Sequence, residues 1–117
     1  MPMIRRIDPD TTMSRATVHN GVIYFCGHVA PGADMTEQAT KLLTRYEELL
    51  LENGSDKDHI LFATIYVTDM ALKGEFNAVW DKWLHPGCAP ARVCVEAGLG
   101  RGGFLAEVAI TAALLEA

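Results

Sequence analysis

Cysteine and positive charge are both scarce in this sequence. The three cysteines form no C-x-x-C pair and their number is odd, which argues against a disulfide framework or a zinc knuckle and favours a reducing cytoplasm. Ten Lys and Arg residues against fifteen Asp and Glu residues give a net charge of −5. Nucleic acid is therefore not expected as a partner, because phosphate binding needs a basic stripe. A small anionic substrate needs only one well-placed Arg.

Long apolar runs and metal-ligand spacings are also missing. No stretch approaches the length of a signal peptide or a membrane-spanning helix, so the sequence predicts a cytoplasmic protein with no membrane partner. The four histidines lack a spacing such as H-E-x-x-H, and we expect no metal site. Gly98, Gly100 and Gly103 have the spacing of a dinucleotide fingerprint, but that loop must open a helix and here it precedes a strand. We therefore expect no nucleotide cofactor.

Two helices are indicated by apolar residues at helical spacing. The first follows Asp34 as its cap, with a Glu three residues later, and ends at Asn53-Gly54. The second follows Asp69 as its cap and ends at Pro86-Gly87. Each helix carries one apolar stripe, which must pack on another apolar surface, most simply a sheet.

The rest of the chain contains strand patterns. Half of the 117 residues are apolar, which is enough for one domain spanning residues 1–117. The sequence predicts an α+β fold in which two helices cover one face of a single mixed sheet, with parallel strands flanking the second helix. The predicted strands are 16–18, 22–26, 59–68, 92–96 and 104–113.

The strand predicted at 59–68 has apolar residues on both faces. Leu61, Ala63, Ile65 and Val67 form a wholly apolar face, and the face containing Phe62 and Tyr66 is mixed. Such a strand is covered on both sides. Since two helices cover only one face of the sheet, the apolar residues on the other face predict an oligomer.

Two charged residues stand in otherwise apolar strands. Arg92 offers a fork for a carboxylate, although spacing alone favours a surface Arg in a weak ion pair. Glu107 has small or apolar neighbours and is either a group for proton transfer or an edge charge that discourages aggregation. Cys26 and Cys94 are interpreted as small apolar residues, with Cys94 the better nucleophile candidate because it shares a face with Arg92. Asn77 either binds a ligand or is a solvated polar flank of the second helix.

Four segments resemble the RidA/YjgF family in order and at consistent spacing. The family texts are a strand ending in S-G-Q, then K-x-x-V-Y-V-x-D-M, F-N-x-x-Y and P-A-R-x-x-V-x-V. The corresponding segments here are V-I-Y-F-C-G-H at 22–28, A-T-I-Y-V-T-D-M at 63–70, F-N-A-V-W at 76–80 and P-A-R-V-C-V-E at 90–96, followed by Glu107 in an apolar strand.

The resemblance implies a fold, an assembly and an activity. The fold is a chorismate-mutase-like α+β fold of six strands in the order β-β-β-α-β-α-β-β, assembled as a homotrimer with sites at subunit interfaces. The activity is cofactor-free hydrolysis of enamines and imines, such as 2-aminoacrylate, to 2-keto acids and ammonia. The family's carboxylate-binding Arg falls on Arg92 and its backbone-amide partner on Cys94. Its water-positioning Glu falls on Glu107, and its site Asn falls on Asn77.

The sequence departs from the family text on one wall of the implied pocket. Met13 stands where the family often has Tyr, and the S-G-Q segment reads Cys26-Gly27-His28. The resemblance implies that Met13, Cys26 and Gly27 contact the substrate. Because residues in this wall differ from the family text, the sequence implies a substrate other than the usual one. Two alternatives stay open: a non-catalytic trimer that binds keto acids, and a deaminase of ring-cleavage or pyrimidine breakdown products.

Overall fold

Six strands and two helices alternate along residues 3–116, the part of the chain that the computed structural model describes. Their order confirms the pattern β-β-β-α-β-α-β-β. The elements are β1 (Arg5–Ile7), β2 (Ala16–His19), β3 (Val22–Phe25), α1 (Met35–Glu52), β4 (Ile60–Val67), α2 (Lys73–Trp83), β5 (Ala91–Glu96) and β6 (Ala106–Ala113).

All six strands form one mixed sheet in the order β1-β2-β3-β6-β4-β5. The β4–β5 pair, which α2 connects, is parallel as predicted, and the other neighbours are antiparallel. Asn20 and Gly21 both have positive φ, at 52° and 77°, and form the tight turn between β2 and β3. No helix within residues 3–116 is long and apolar enough to cross a membrane.

The start of α1 follows the capping pattern in the sequence. The Asp34 carboxylate accepts the backbone N–H of Glu37 at 2.9 Å, and the Glu37 side chain accepts the N–H of Ala33 at 2.6 Å. Gly54 follows the helix with φ of 84°. The apolar stripe packs on the sheet, where each fully buried large side chain contributes about 1.5–3 kcal/mol. The buried apolar residues of α1 are Met35, Ala39, Leu42, Leu43, Tyr46 and Leu50.

The second helix begins later than predicted. Asp69 accepts the N–H of Ala71 and closes a short 3-10 turn over Met70–Leu72, and α2 starts only at Lys73. An Asp that bonds its own backbone two residues on makes a tight turn rather than a helical one, which explains the difference. The helix then buries Phe76 and Trp80 against the sheet.

The predicted face of β4 is wrong at one end. Leu61 is exposed and Ile60 is buried, because a bulge lies between Ile60 and Phe62 relative to β6. A bulge inserts one residue and so reverses the alternation of side chains. Beyond it the pattern holds: Ala63 and Val67 are fully buried under the helices, as is the Ile between them.

The face of the sheet opposite the helices carries apolar side chains without cover. Tyr24, Phe62, Val93 and Val95 all lie on this open face, and each is 40–47% exposed. This arrangement agrees with the expectation that helices cover one face only. Contiguous apolar surface of this kind marks an interaction site.

Candidate functional site

Arg92 belongs to a small cluster between β5 and α2. One guanidinium nitrogen donates to Asn77 Oδ1 at 2.7 Å, and the guanidinium carbon lies 5.5 Å from the centre of the Trp80 ring. Trp80 is buried, so the cation rests on a fixed aromatic surface. A guanidinium has five N–H donors, and the bond to Asn77 uses one of them. The cluster therefore presents an oriented fork suited to a carboxylate.

The backbone beside Arg92 adds a donor in the same place. β5 is an edge strand, and the N–H of Ala97 donates to the carbonyl of Val67 in β4. Because successive amides of a strand point to opposite sides, the N–H groups of Arg92 and Cys94 point away from β4 towards the open edge. The Cys94 amide and the Arg92 guanidinium can thus meet one anionic group at this edge.

A second cluster surrounds Glu107 on the open face. The Glu107 carboxylate lies directly over the α-carbon of Gly27: a β-carbon built on Gly27 would be 2.0 Å from Oε2. A side chain at position 27 would therefore displace the carboxylate, which occupies the space of a β-carbon. Gly27 does not have positive φ, so its backbone conformation is open to other residues.

Cys26 and His28 flank this glycine. The Cys26 sulfur lies 3.7 Å from His28 Nε2. Burial raises the pKa of Cys26, and burial also lowers the pKa of His28. Both shifts favour the neutral forms, so the pair is a thiol beside a neutral imidazole rather than a thiolate nucleophile. Cys26 is therefore not expected to act as a nucleophile.

The two clusters lie on opposite faces of the sheet. Arg92 pairs with Ala63, which is buried under the helices, whereas Glu107 pairs with Tyr66 on the open face. Arg92 and Glu107 are two strands apart and three residues apart along β4, which is about 10 Å in each direction. One small substrate cannot reach both groups of the same chain.

Met13 lies in the segment between β1 and β2. Its backbone is held by Asp10, whose carboxylate accepts the Met13 N–H at 2.8 Å, and its side chain is 44% exposed. Within residues 3–116 no group of three His, Cys, Asp or Glu side chains is arranged to hold a metal ion. The structure thus brings together Arg92, Asn77 and Cys94, and separately Glu107 and Gly27.

Comparison with known proteins identifies the family of this chain. A family model described as Endoribonuclease L-PSP matches residues 3–114. A RutC family protein of Haemophilus ducreyi is 37% identical over 114 residues, which cover 96% of this chain and 97% of that protein. The crystal structure of NMB1025, a YjgF family member from Neisseria meningitidis, covers 98% of both chains with a TM-score of 0.92 and 40% identity. This chain is a member of the RidA/YjgF family.

The fold of this RidA/YjgF protein is the chorismate-mutase-like α+β fold that the resemblance implied. YoaB of Escherichia coli, a RutC family protein, is also 36% identical over 112 residues, covering 95% of this chain and 98% of that protein.

Sequence reasoning missed the supporting role of two residues in this RidA/YjgF chain. Trp80 belongs to the apolar stripe of the second helix, yet it lies three residues after Asn77 and therefore faces Arg92 with it. Tyr46 belongs to the apolar stripe of the first helix, yet its hydroxyl bonds the backbone near Gly27. A hydroxyl in an otherwise apolar stripe needs a buried partner, and that requirement was the available signal.

Proposed function

We propose that this protein hydrolyses enamines and imines derived from amino acids to 2-keto acids and ammonia, and that it does so as a homotrimer. The Arg92 fork and the Cys94 amide hold the substrate carboxylate, and Glu107 acts on the reacting carbon. A cytoplasmic location is part of the proposal, because Cys26, Cys88 and Cys94 are all free thiols.

The observation that carries the proposal is the division of the site into two halves. The two clusters lie on opposite faces of one chain. In the proposed trimer the open apolar face packs against neighbouring copies, so that Arg92 of one protomer and Glu107 of another line the same cleft. Burial of the exposed Tyr24, Phe62 and Val93 would drive that association.

The chemistry needs only positioning and one acid–base group. The enamine first tautomerises to the imine. Glu107 then orients a water, takes its proton as the oxygen attacks the imine carbon, and returns the proton to the nitrogen. A second transfer through Glu107 moves the proton of the new hydroxyl to the nitrogen, and the carbon–nitrogen bond then breaks, releasing ammonia and leaving a 2-keto acid. General acid–base assistance of this type is worth about 100- to 10,000-fold in rate.

The direct test is hydrolysis of 2-aminoacrylate generated in situ, with the spontaneous rate subtracted. We expect faster formation of pyruvate and ammonia with the protein than without it, and loss of that acceleration in Arg92→Ala. A protein that binds 2-keto acids in calorimetry but leaves the rate unchanged would instead be a binding module. Because the family model is described as an endoribonuclease, RNA is assayed in parallel, and the net charge of −5 predicts no cleavage.

A further inference from the structure

A β-bulge interrupts the pairing of β3 with β6 beside Glu107. Tyr24 pairs with Thr111, and the pairing resumes at a bridge between His28 and Val108. Three residues, 25–27, lie between the two pairs on the β3 side, and only two, 109–110, lie between them on β6. Such an extra residue bends a strand and re-aims its neighbours. Here it brings the backbone of Gly27 against the Glu107 carboxylate.

The hydroxyl of Tyr46 contacts the bulge from the helix side of the sheet. Tyr46 of α1 is fully buried, and its hydroxyl lies 2.9 Å from the carbonyl oxygen of Cys26 and 2.8 Å from that of Val108. These two carbonyls stand on the two sides of the bulge. Burial is the main cause that raises the pKa of Tyr46, so the hydroxyl keeps its proton as a donor.

The Tyr46 ring also packs against two aromatic rings, one on each side of the bulge. It meets the Phe25 ring edge-on at 5.8 Å and the His28 ring edge-on at 5.0 Å. These contacts belong to the residues just before and just after Cys26 and Gly27. The ring therefore aims the hydroxyl at the point where the backbone departs from regular pairing.

We propose that Tyr46 is a positioning residue whose hydroxyl pins this bulge and thereby keeps Gly27 against the Glu107 carboxylate. The role rests on the proposed deamination, in which Glu107 orients the attacking water. Tyr46 is remote from the open face where substrate would bind, so it acts only through the backbone of Cys26 and Gly27. Without the hydroxyl the bulge would relax, and the carboxylate would lose the surface that fixes its position.

The test is Tyr46→Phe, which keeps the ring and its edge contacts and removes only the hydroxyl. With 2-aminoacrylate as substrate, kcat should fall about tenfold while KM stays within about twofold, because misplacement of a reacting group mainly affects the chemical step. Leu50→Val is the matched control, since Leu50 is equally buried in α1 and its side chain has no hydrogen-bonding group. It should lower the melting temperature and leave kcat unchanged.

Amide hydrogen exchange provides a reading independent of turnover. The N–H groups of His28 and Val108 bond each other's carbonyls across the bulge at 2.9 and 3.0 Å. In Tyr46→Phe these two amides should exchange about tenfold faster relative to the amides of β4. Unchanged relative exchange, an unchanged kcat, or an equal fall of kcat in Leu50→Val would overturn the positioning role. A wild-type protein that hydrolyses no enamine would refute the proposed function itself and, with it, the catalytic part of this role.

Discussion

Replacing Gly27 by Ala changes the site at one atom. The new β-carbon would lie 2.0 Å from Oε2 of Glu107, 2.9 Å from its carboxyl carbon and 3.2 Å from its γ-carbon. Non-bonded carbon and oxygen atoms prefer about 3.5 Å, so the carboxylate must move by about 1.5 Å. A displacement of about 1 Å at a reacting group can cost about 100-fold in rate. We therefore expect kcat for 2-aminoacrylate to fall about 100-fold in Gly27→Ala.

Stability should hardly change in the same variant. Gly27 does not have positive φ, so Ala can adopt its backbone conformation. Removing a glycine from the unfolded chain stabilises the fold by about 0.4–1 kcal/mol, which offsets part of the cost of moving the Glu107 side chain. The fold therefore persists while the position of the carboxylate changes.

The assay measures steady-state pyruvate formation above the spontaneous rate, together with a thermal melt. Gly98→Ala is the control, because a β-carbon on Gly98 meets no atom within 4 Å and Gly98 does not have positive φ. It should keep both kcat and the melting temperature. A wild-type kcat in Gly27→Ala would show that the position of the Glu107 carboxylate beside Gly27 does not matter for the chemical step.

Five further variants test other parts of the proposed site and of the fold. Arg92→Ala should reduce kcat/KM well over tenfold, since removing one partner of a desolvated charge pair costs about 2–5 kcal/mol. Arg92→Lys should restore little of that activity, because an ammonium lacks the fork of a guanidinium. Near wild-type turnover by the Ala variant would remove Arg92 from the site. Glu107→Gln should lower kcat more than it weakens keto-acid binding in calorimetry, and full turnover would contradict an acid–base role. Met13→Tyr should shift relative kcat/KM towards the smallest of the enamines derived from Ser, Leu and Met, and an unchanged ranking would place Met13 outside the pocket. Burial and two nearby guanidinium groups lower the pKa of His28 below its unfolded value of 6.5. The contribution of the neutral His28 to stability is therefore complete above pH 6.5 and is lost as the pH falls below it. In urea melts, the free energy of unfolding should fall less between about pH 7.5 and about pH 5.5 for His28→Gln than for wild type.

Local chemistry made much of the fold predictable from the sequence. The cap at Asp34 and the turn at Asn20-Gly21 were both readable, because each depends on residues within a few positions of one another. The alternation of apolar residues likewise indicated that the sheet has one face the helices leave open. The predicted start of the second helix after Asp69 was wrong because an Asp cap also suits a 3-10 turn.

The parts that could not be predicted depend on pairing between distant strands. Alternation shows that Arg92 and Cys94 share a face, but only the pairing with Ala63 and its neighbours shows that the helices cover that face. Bulges are equally invisible in the pattern, since an inserted residue at Leu61 or near Gly27 is defined by its partner strand. The placement of Arg92 and Glu107 on opposite faces of the sheet is therefore visible only in the register.

Complementation between two inactive variants tests the shared site most directly. Arg92→Ala and Glu107→Gln chains, each inactive alone, are co-expressed with different tags, and the mixed oligomers are isolated and assayed on 2-aminoacrylate. If every site takes Arg92 from one protomer and Glu107 from its neighbour, about one third of the sites in the isolated mixed trimers carry both intact residues. We expect about a third of the wild-type rate. No activity in the mixed oligomers would show that Arg92 and Glu107 of different protomers do not form one site.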